Sequence, residues 1–209
     1  MILVFFLYGV AFFTLGLAVF IYPKKDSAFK LANKLWLLAS FGVIHGINEW
    51  VDMFILIKKP IEITLLNRIS LFFLTSSFLF LFQFGANIIA ESKKKYSALK
   101  VLPTLLFITW IVLTLLNSQR LLLGNIWARY LLGIPGILLT AYALFLQITE
   151  FKDMNLLTVI KDLKLAIVAF LFYSILSGLF VPAAGFFPAS IFNYTTFLNV
   201  VGIPVAKWR

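Results

Sequence analysis

Phe41-Gly42-Val43-Ile44-His45-Gly46-Ile47-Asn48-Glu49-Trp50-Val51-Asp52-Met53-Phe54 lies inside an otherwise apolar run from Leu35 to Ile57, and its four polar residues decide the fold. At about 100° per residue, His45, Asn48, Glu49 and Asp52 share one face of a helix, with Trp50 on the opposite side. Two carboxylates within one turn of a membrane helix, each costing roughly 2.5 to 3.5 kcal/mol at the bilayer centre, must be paired or hydrated. The polar face therefore reads as a pocket or relay turned into a helical bundle. The alternative is that Glu49 and Asp52 only join helices through buried hydrogen bonds.

Outward from this stretch the chain repeats apolar runs of bilayer length. Of its 209 residues 62% are hydrophobic and 12% charged, which describes a polytopic helical membrane protein, a single all-α domain. The net charge of +10 sits in short loops, where the positive-inside bias explains it better than nucleic acid does. With no cysteine and one histidine, disulfides and thiolate metal sites are excluded and imidazole chemistry is restricted to His45. The first apolar run begins at Ile2 without a basic leader region, so it reads as a retained helix rather than a cleaved signal.

Hydropathy places membrane helices at 2–22, 35–57, 64–90, 101–117, 126–148 and 165–186. The loops after the first, third and fifth hold Lys24, Lys25, Lys30, Lys34, Lys93, Lys94, Lys95, Lys100, Lys152, Lys161 and Lys164. Those after the second and fourth hold Lys58, Lys59, Arg68, Arg120 and Arg129. Eleven against five puts the first set in the cytoplasm and the N-terminus outside. Pro135, within Gly133-Ile134-Pro135-Gly136, should kink helix five. Glu150–Lys164 carries apolar residues at helical intervals, as an interfacial or extended helix does. Pro182, Gly185 and Pro188 force a turn after helix six, and Ile191–Val205 reads equally as a re-entrant segment or a seventh span. No small-xxx-small motif stands out to place a dimer interface.

Depth decides which polar groups can meet. His45, ten residues past Lys34, lies about 15 Å deep, with Glu49 and Asp52 in the outer half. Asn67 and Arg68 begin helix three, and Arg129 and Tyr130 begin helix five, at the same outer level. Arginine suits bidentate pairing with carboxylates, so either the pairs close on each other or a ligand supplies one charge. Arg68 is the deeper guanidinium by this reckoning, whereas Arg129 stands near a helix end where it can snorkel. Ser76, Gln83 and Asn87 share the cytoplasmic half of helix three as interhelical hydrogen-bonding groups.

Several chemistries lack their residues. No helix core carries a lysine for a retinal Schiff base, zinc lacks a third ligand beside His45 with Glu49 or Asp52, and haem would need a second axial ligand. Ser177-Gly178 lacks the flanking pattern of an intramembrane serine protease.

Three stretches carry a resemblance: Tyr8-Gly9 with Phe12-Phe13 and Gly16; Phe41 to Trp50 with Asp52-Met53-Phe54; and Asn193-Tyr194 with Phe197 and Gly202-Ile203-Pro204-Val205. Together they resemble the N-terminal multi-helix membrane sensor region of bacterial histidine kinases and diguanylate cyclases that carry PAS domains. The resemblance implies sensing rather than catalysis, a bacterial inner-membrane location, and a further helix leading to a cytoplasmic output domain, with homodimerisation if a kinase follows. The expected function is an input domain that binds a small molecule, lipid or quinone through His45, Asn48, Glu49, Asp52, Arg68, Arg129, Tyr130, Asn193 and Tyr194. The alternatives are a proton- or ion-coupled transporter, for which no internal repeat is visible, a haem or quinone subunit, and an accessory subunit. The residues name no cofactor.

Overall fold

The computed structural model describes residues 1–21, 30–58 and 60–207; Lys24, Lys25 and Lys59 lie outside them, as does the side chain of Lys30. Apart from one isolated bridge between Val181 and Asn193, the regular structure of the described residues is helical. Helix α1 covers Ile2–Ile21, α2 Lys30–Ile57 and α3 Pro60–Ser92. A 3-10 stretch, Lys94–Val101, leads into α4, Leu102–Leu116. Helix α5 runs Arg120–Asp153 through a π-helical turn at Ala128–Gly133. Helix α6, Leu157–Tyr173, ends in a second π turn, Ser174–Leu179, and α7 is Tyr194–Val201.

Among the described residues four segments are long and apolar enough to cross a bilayer: Ile2–Ile21, Ile63–Ser92, Lys94–Leu116 and Arg120–Asp153. Helix α2 has the length, at 28 residues, but its polar face lowers its mean hydropathy, and α6 has 17 residues before its π turn. Large apolar side chains point outward along the bundle, among them Phe72, Leu116, Leu165 and Val168. Water would not tolerate so extensive an apolar surface; lipid does.

Glycine decides how α1 meets α2. A Cβ at Gly42 would lie 2.8 Å from the Phe12 carbonyl oxygen, and one at Gly46 would lie 2.7 Å from that of Gly9. On the opposing helix, a Cβ at Gly16 would meet the Val43 nitrogen at 2.6 Å. Gly42-x-x-x-Gly46 is thus a small-xxx-small pattern that works within the chain, letting two backbones touch where lipid supplies no hydrophobic drive. Gly85 does the same where α3 meets α5, its Cβ position 2.6 Å from the Thr140 nitrogen, and Thr140 donates to the Leu81 carbonyl at 3.0 Å. Phe41, Phe78, Phe82, Leu132 and Ile137 fill the centre.

Several boundaries differ from the hydropathy reading. Helix α5 begins at Arg120, and the kink expected at Pro135 takes the form of the π turn just before it, where the proline has no N–H to offer the Leu131 carbonyl. Regular α-helix in α6 stops at Tyr173, well short of residue 186. Glu150–Lys164 is the extended version of the two options: both helices run into it and turn at Asn155, whose φ of 57° is the left-handed conformation that ends a helix. The tail forms α7, eight residues or about 12 Å, less than half a hydrocarbon core, so no helix crosses there.

Lys34 and Lys100 both approach Glu91, at 3.1 and 3.4 Å, and Gln147 donates to Ser92 at 3.3 Å. These contacts gather the start of α2, the end of α3 and the end of α5 at one end of the bundle. Met1, Asp52, Asn67, Asn125 and Val205 lie together at the other.

Candidate functional site

The polar face of α2 meets a serine stripe on antiparallel α3. Ser70 donates to Asp52 at 2.6 Å and lies 3.1 Å from the Asn48 amide oxygen, while Asn48 donates to Asp52 at 3.4 Å. Two turns further along both helices, His45 Nδ1 lies 3.0 Å from Ser77 Oγ. His45 to Asp52 and Ser70 to Ser77 are equal spacings, so one register satisfies both rungs.

Ser77 donates its only hydrogen to the Leu74 carbonyl at 2.7 Å. Its oxygen must then accept from His45, which assigns a proton to Nδ1. The other ring nitrogen, Nε2, is 2.5 Å from the Tyr173 hydroxyl and 3.4 Å from Glu49 Oε1. Phe41 stacks on the imidazole at 5.2 Å, and Phe12 meets it edge-on at 4.7 Å. His45 is 1% exposed and Glu49 3%, so these two form a sealed core and face no opening. Binding a haem iron or a metal at His45 would require breaking a ring-nitrogen contact and moving the aromatic rings. Among the described residues no cluster of three metal-ligating side chains forms.

Tyr173 escapes a sequence reading because nothing in an apolar α6 signals which residue its rotation turns inward. Ser70 and Ser77 are legible in principle, being spaced two turns apart like His45 and Asp52. Replacing Tyr173 with Phe removes the hydroxyl from Nε2 and leaves the ring in place. The expected loss is about 1 to 2 kcal/mol, read as a lower unfolding midpoint in detergent, with the helical circular dichroism signal unchanged.

The two guanidiniums exchange their expected roles. Arg68 is exposed beside Gln119 and Arg120, whereas Arg129 is 3% exposed. Arg129 Nε donates to Asn125 at 2.9 Å, and Nη1 donates to the Ser177 carbonyl at 2.5 Å and approaches its hydroxyl at 3.3 Å. These bonds tie the π turn of α5 to that of α6. Among the described residues no carboxylate bonds Arg129. The hydroxyl of Tyr130 is buried and has no hydrogen-bond partner among them.

Asn193 is spent on the chain itself. Its Oδ1 accepts from the Thr196 backbone at 2.9 Å, capping α7, and its Nδ2 donates to the Ala189 carbonyl at 3.0 Å, while Tyr194 N bonds the Val181 carbonyl. Asn193→Ala should cost about 1 to 2 kcal/mol and speed amide hydrogen exchange across Thr195–Val201, with α1 to α5 unaffected.

Beneath this cap is a cavity of about 480 Å³. Its polar wall is Asp52, Asn67, Asn125, Arg129 and Tyr194; Phe5, Ile55 and Leu198 make it apolar elsewhere. The lining is drawn from α1, α2, α3 and α5, and the rest from the tail. The structure thus brings Asp52, Arg129 and Tyr194 of the expected set to one opening, with Asn48 bonded behind Asp52. It places His45 and Glu49 deeper and Arg68 on another surface. Helical regular structure with four bilayer-length apolar segments among the described residues, and a polar cavity at one end, mark a helical membrane protein. No protein-family model matches the sequence, and neither the curated proteins nor the solved structures contain a significant match.

Proposed function

We propose that the chain is a membrane-embedded sensing domain that binds a small molecule or lipid in the cavity lined by Asp52, Asn67, Asn125, Arg129 and Tyr194. One observation carries this reading: the cavity wall is shared by α1, α2, α3, α5 and the tail, and Asp52 in that wall is bonded to the polar ladder between α2 and α3. A ligand that draws on Asp52 alters the partner of Ser70. The change then bears on the register that also sets His45 against Ser77 and Tyr173. Differential affinity of a few kcal/mol is enough to shift such a two-state bundle.

In this reading six helices, α1 to α6, cross or enter the bilayer, and α7 closes the cavity. The end holding Lys34, Lys93, Lys94, Lys95 and Lys100 faces the cytoplasm by the positive-inside bias, which puts the cavity and the N-terminus outside. The resemblance to the membrane regions of PAS-containing kinases and cyclases supports a cytoplasmic output as partner and a bacterial inner membrane as location.

The test is amide hydrogen exchange on the protein in nanodiscs, titrated with fractionated bacterial lipids and metabolites. An active fraction should protect α7 and change exchange around His45 and Tyr173, and Asp52→Asn should abolish both effects. No response to any fraction would refute sensing. Proteoliposomes acidifying or alkalising with a substrate gradient would favour a transporter instead.

A further inference from the structure

We infer that the cavity takes a monoanionic carboxylate carrying an apolar chain, with the carboxylate on the free edge of Arg129. This rests on the binding site proposed above and adds the chemistry of its occupant.

Arg129 is a buried cation whose bonded partners among the described residues are all neutral: an amide, a carbonyl and a hydroxyl. Its Nε and Nη1 are committed to Asn125 and Ser177. Nη2 makes no hydrogen bond among the described residues, and the side chain lines the cavity. A guanidinium out of water calls for an anion, and Nη2, the arm of the planar fork left unbonded among the described residues, can donate to a carboxylate. The Ser177 and Asn125 bonds hold that fork still before anything binds, which lowers the ordering cost of binding.

The rest of the wall sets the occupant's other features. Asp52 shares the cavity, so a second negative charge would meet a carboxylate, and a phosphate dianion is disfavoured against a monoanion. Asn67 and Asn125 add amide groups beside the charge. Phe5, Ile55, Leu56 and Leu198 offer an apolar channel for a chain. Such an acid has two sources, a membrane amphiphile or a short organic acid from water, and both present the same head group to Arg129.

The test is calorimetric binding to the protein in zwitterionic nanodiscs, with protein-free nanodiscs subtracted. The probes are decanoate, decanol, decyl phosphate, decyltrimethylammonium and propanoate. Decanoate should bind saturably, and Arg129→Gln and the cavity-filling Leu198→Trp should each weaken it roughly tenfold or more. Decanol and decyl phosphate should bind more weakly than decanoate. Propanoate competing at similar concentration would identify a water-borne acid; propanoate failing to compete would identify an amphiphile.

Decanol equalling decanoate, decyl phosphate exceeding it, or Arg129→Gln leaving affinity intact would overturn the carboxylate assignment. If Arg129→Gln does not fold, Leu198→Trp and the head-group comparison decide the question alone. Binding of decyltrimethylammonium or decanol that Leu198→Trp blocks, without decanoate binding, would retain the site and reject the anion. No probe binding in a way that Leu198→Trp blocks would remove both the anion and the proposed site.

Discussion

Gly46→Leu should detach α1 from α2. A Cβ at this position would meet the Gly9 carbonyl oxygen at 2.7 Å and the Phe13 nitrogen at 2.8 Å, and neither backbone atom can move aside without the helices parting. Overpacking a fitted contact costs about 1 to 3 kcal/mol, and leucine against backbone belongs at or above the upper end. In lipid the separated helices lose their van der Waals contact and gain no compensating polar interaction, so the damage is concentrated at this seam. Trp50, whose indole nitrogen donates to the Phe6 carbonyl at 3.3 Å, reports on the same contact. The expected result is a lower unfolding midpoint, proteolytic release of α1 and a shift in tryptophan fluorescence. Gly185→Leu is the control: a Cβ there meets nothing within 4 Å, and its stability should stay within about 0.5 kcal/mol of the parent. A Gly46→Leu protein as stable as this control would show that the α1–α2 seam is not close-packed.

Arg129→Ala should be the most damaging polar change. It removes the donors to Asn125 and Ser177, and it leaves a cavity between two π turns that lack the usual helical bonding pattern. Charge-assisted hydrogen bonds contribute about 1.5 to 3 kcal/mol each and are not additive within one side chain, so the expected loss is about 3 kcal/mol. Arg129→Lys keeps the charge but not the fork that reaches Asn125 and Ser177 together, and should recover less than half of it. Thermal unfolding in detergent ranks the parent and the two variants. Equal midpoints for the parent and Arg129→Ala would mean that the two π turns hold without the guanidinium. Arg68→Ala, at an exposed position, should leave the midpoint unchanged.

Much of the site was legible as a helical face. His45, Asn48, Glu49 and Asp52 do turn together toward the bundle, and the shared level of Asp52, Asn67 and Arg129 followed from counting residues, although α5 begins nine residues before Arg129. The division among them was not legible, since periodicity gives a direction but not what lies opposite. Ser77 and Tyr173 close over His45, while Asp52 looks onto an opening three residues beyond Glu49. For the same reason depth alone ranked Arg68 above Arg129. The π turn at Ala128–Gly133 and the partner at Ser177, 48 residues away, bury Arg129 instead.

What the sequence determined by itself is the helical character, the apolar lengths and the polar face of α2, because each depends on periodicity and on the cost of putting backbone and charge into hydrocarbon. Only the tertiary structure decided that the Gly42–Gly46 pair packs α1 inside the chain, that Asn193 caps a short α7, and that Asp52 and Arg129 share one cavity. Those outcomes depend on which helices are neighbours, and neighbours far apart in the chain are chosen by packing complementarity that no local window contains.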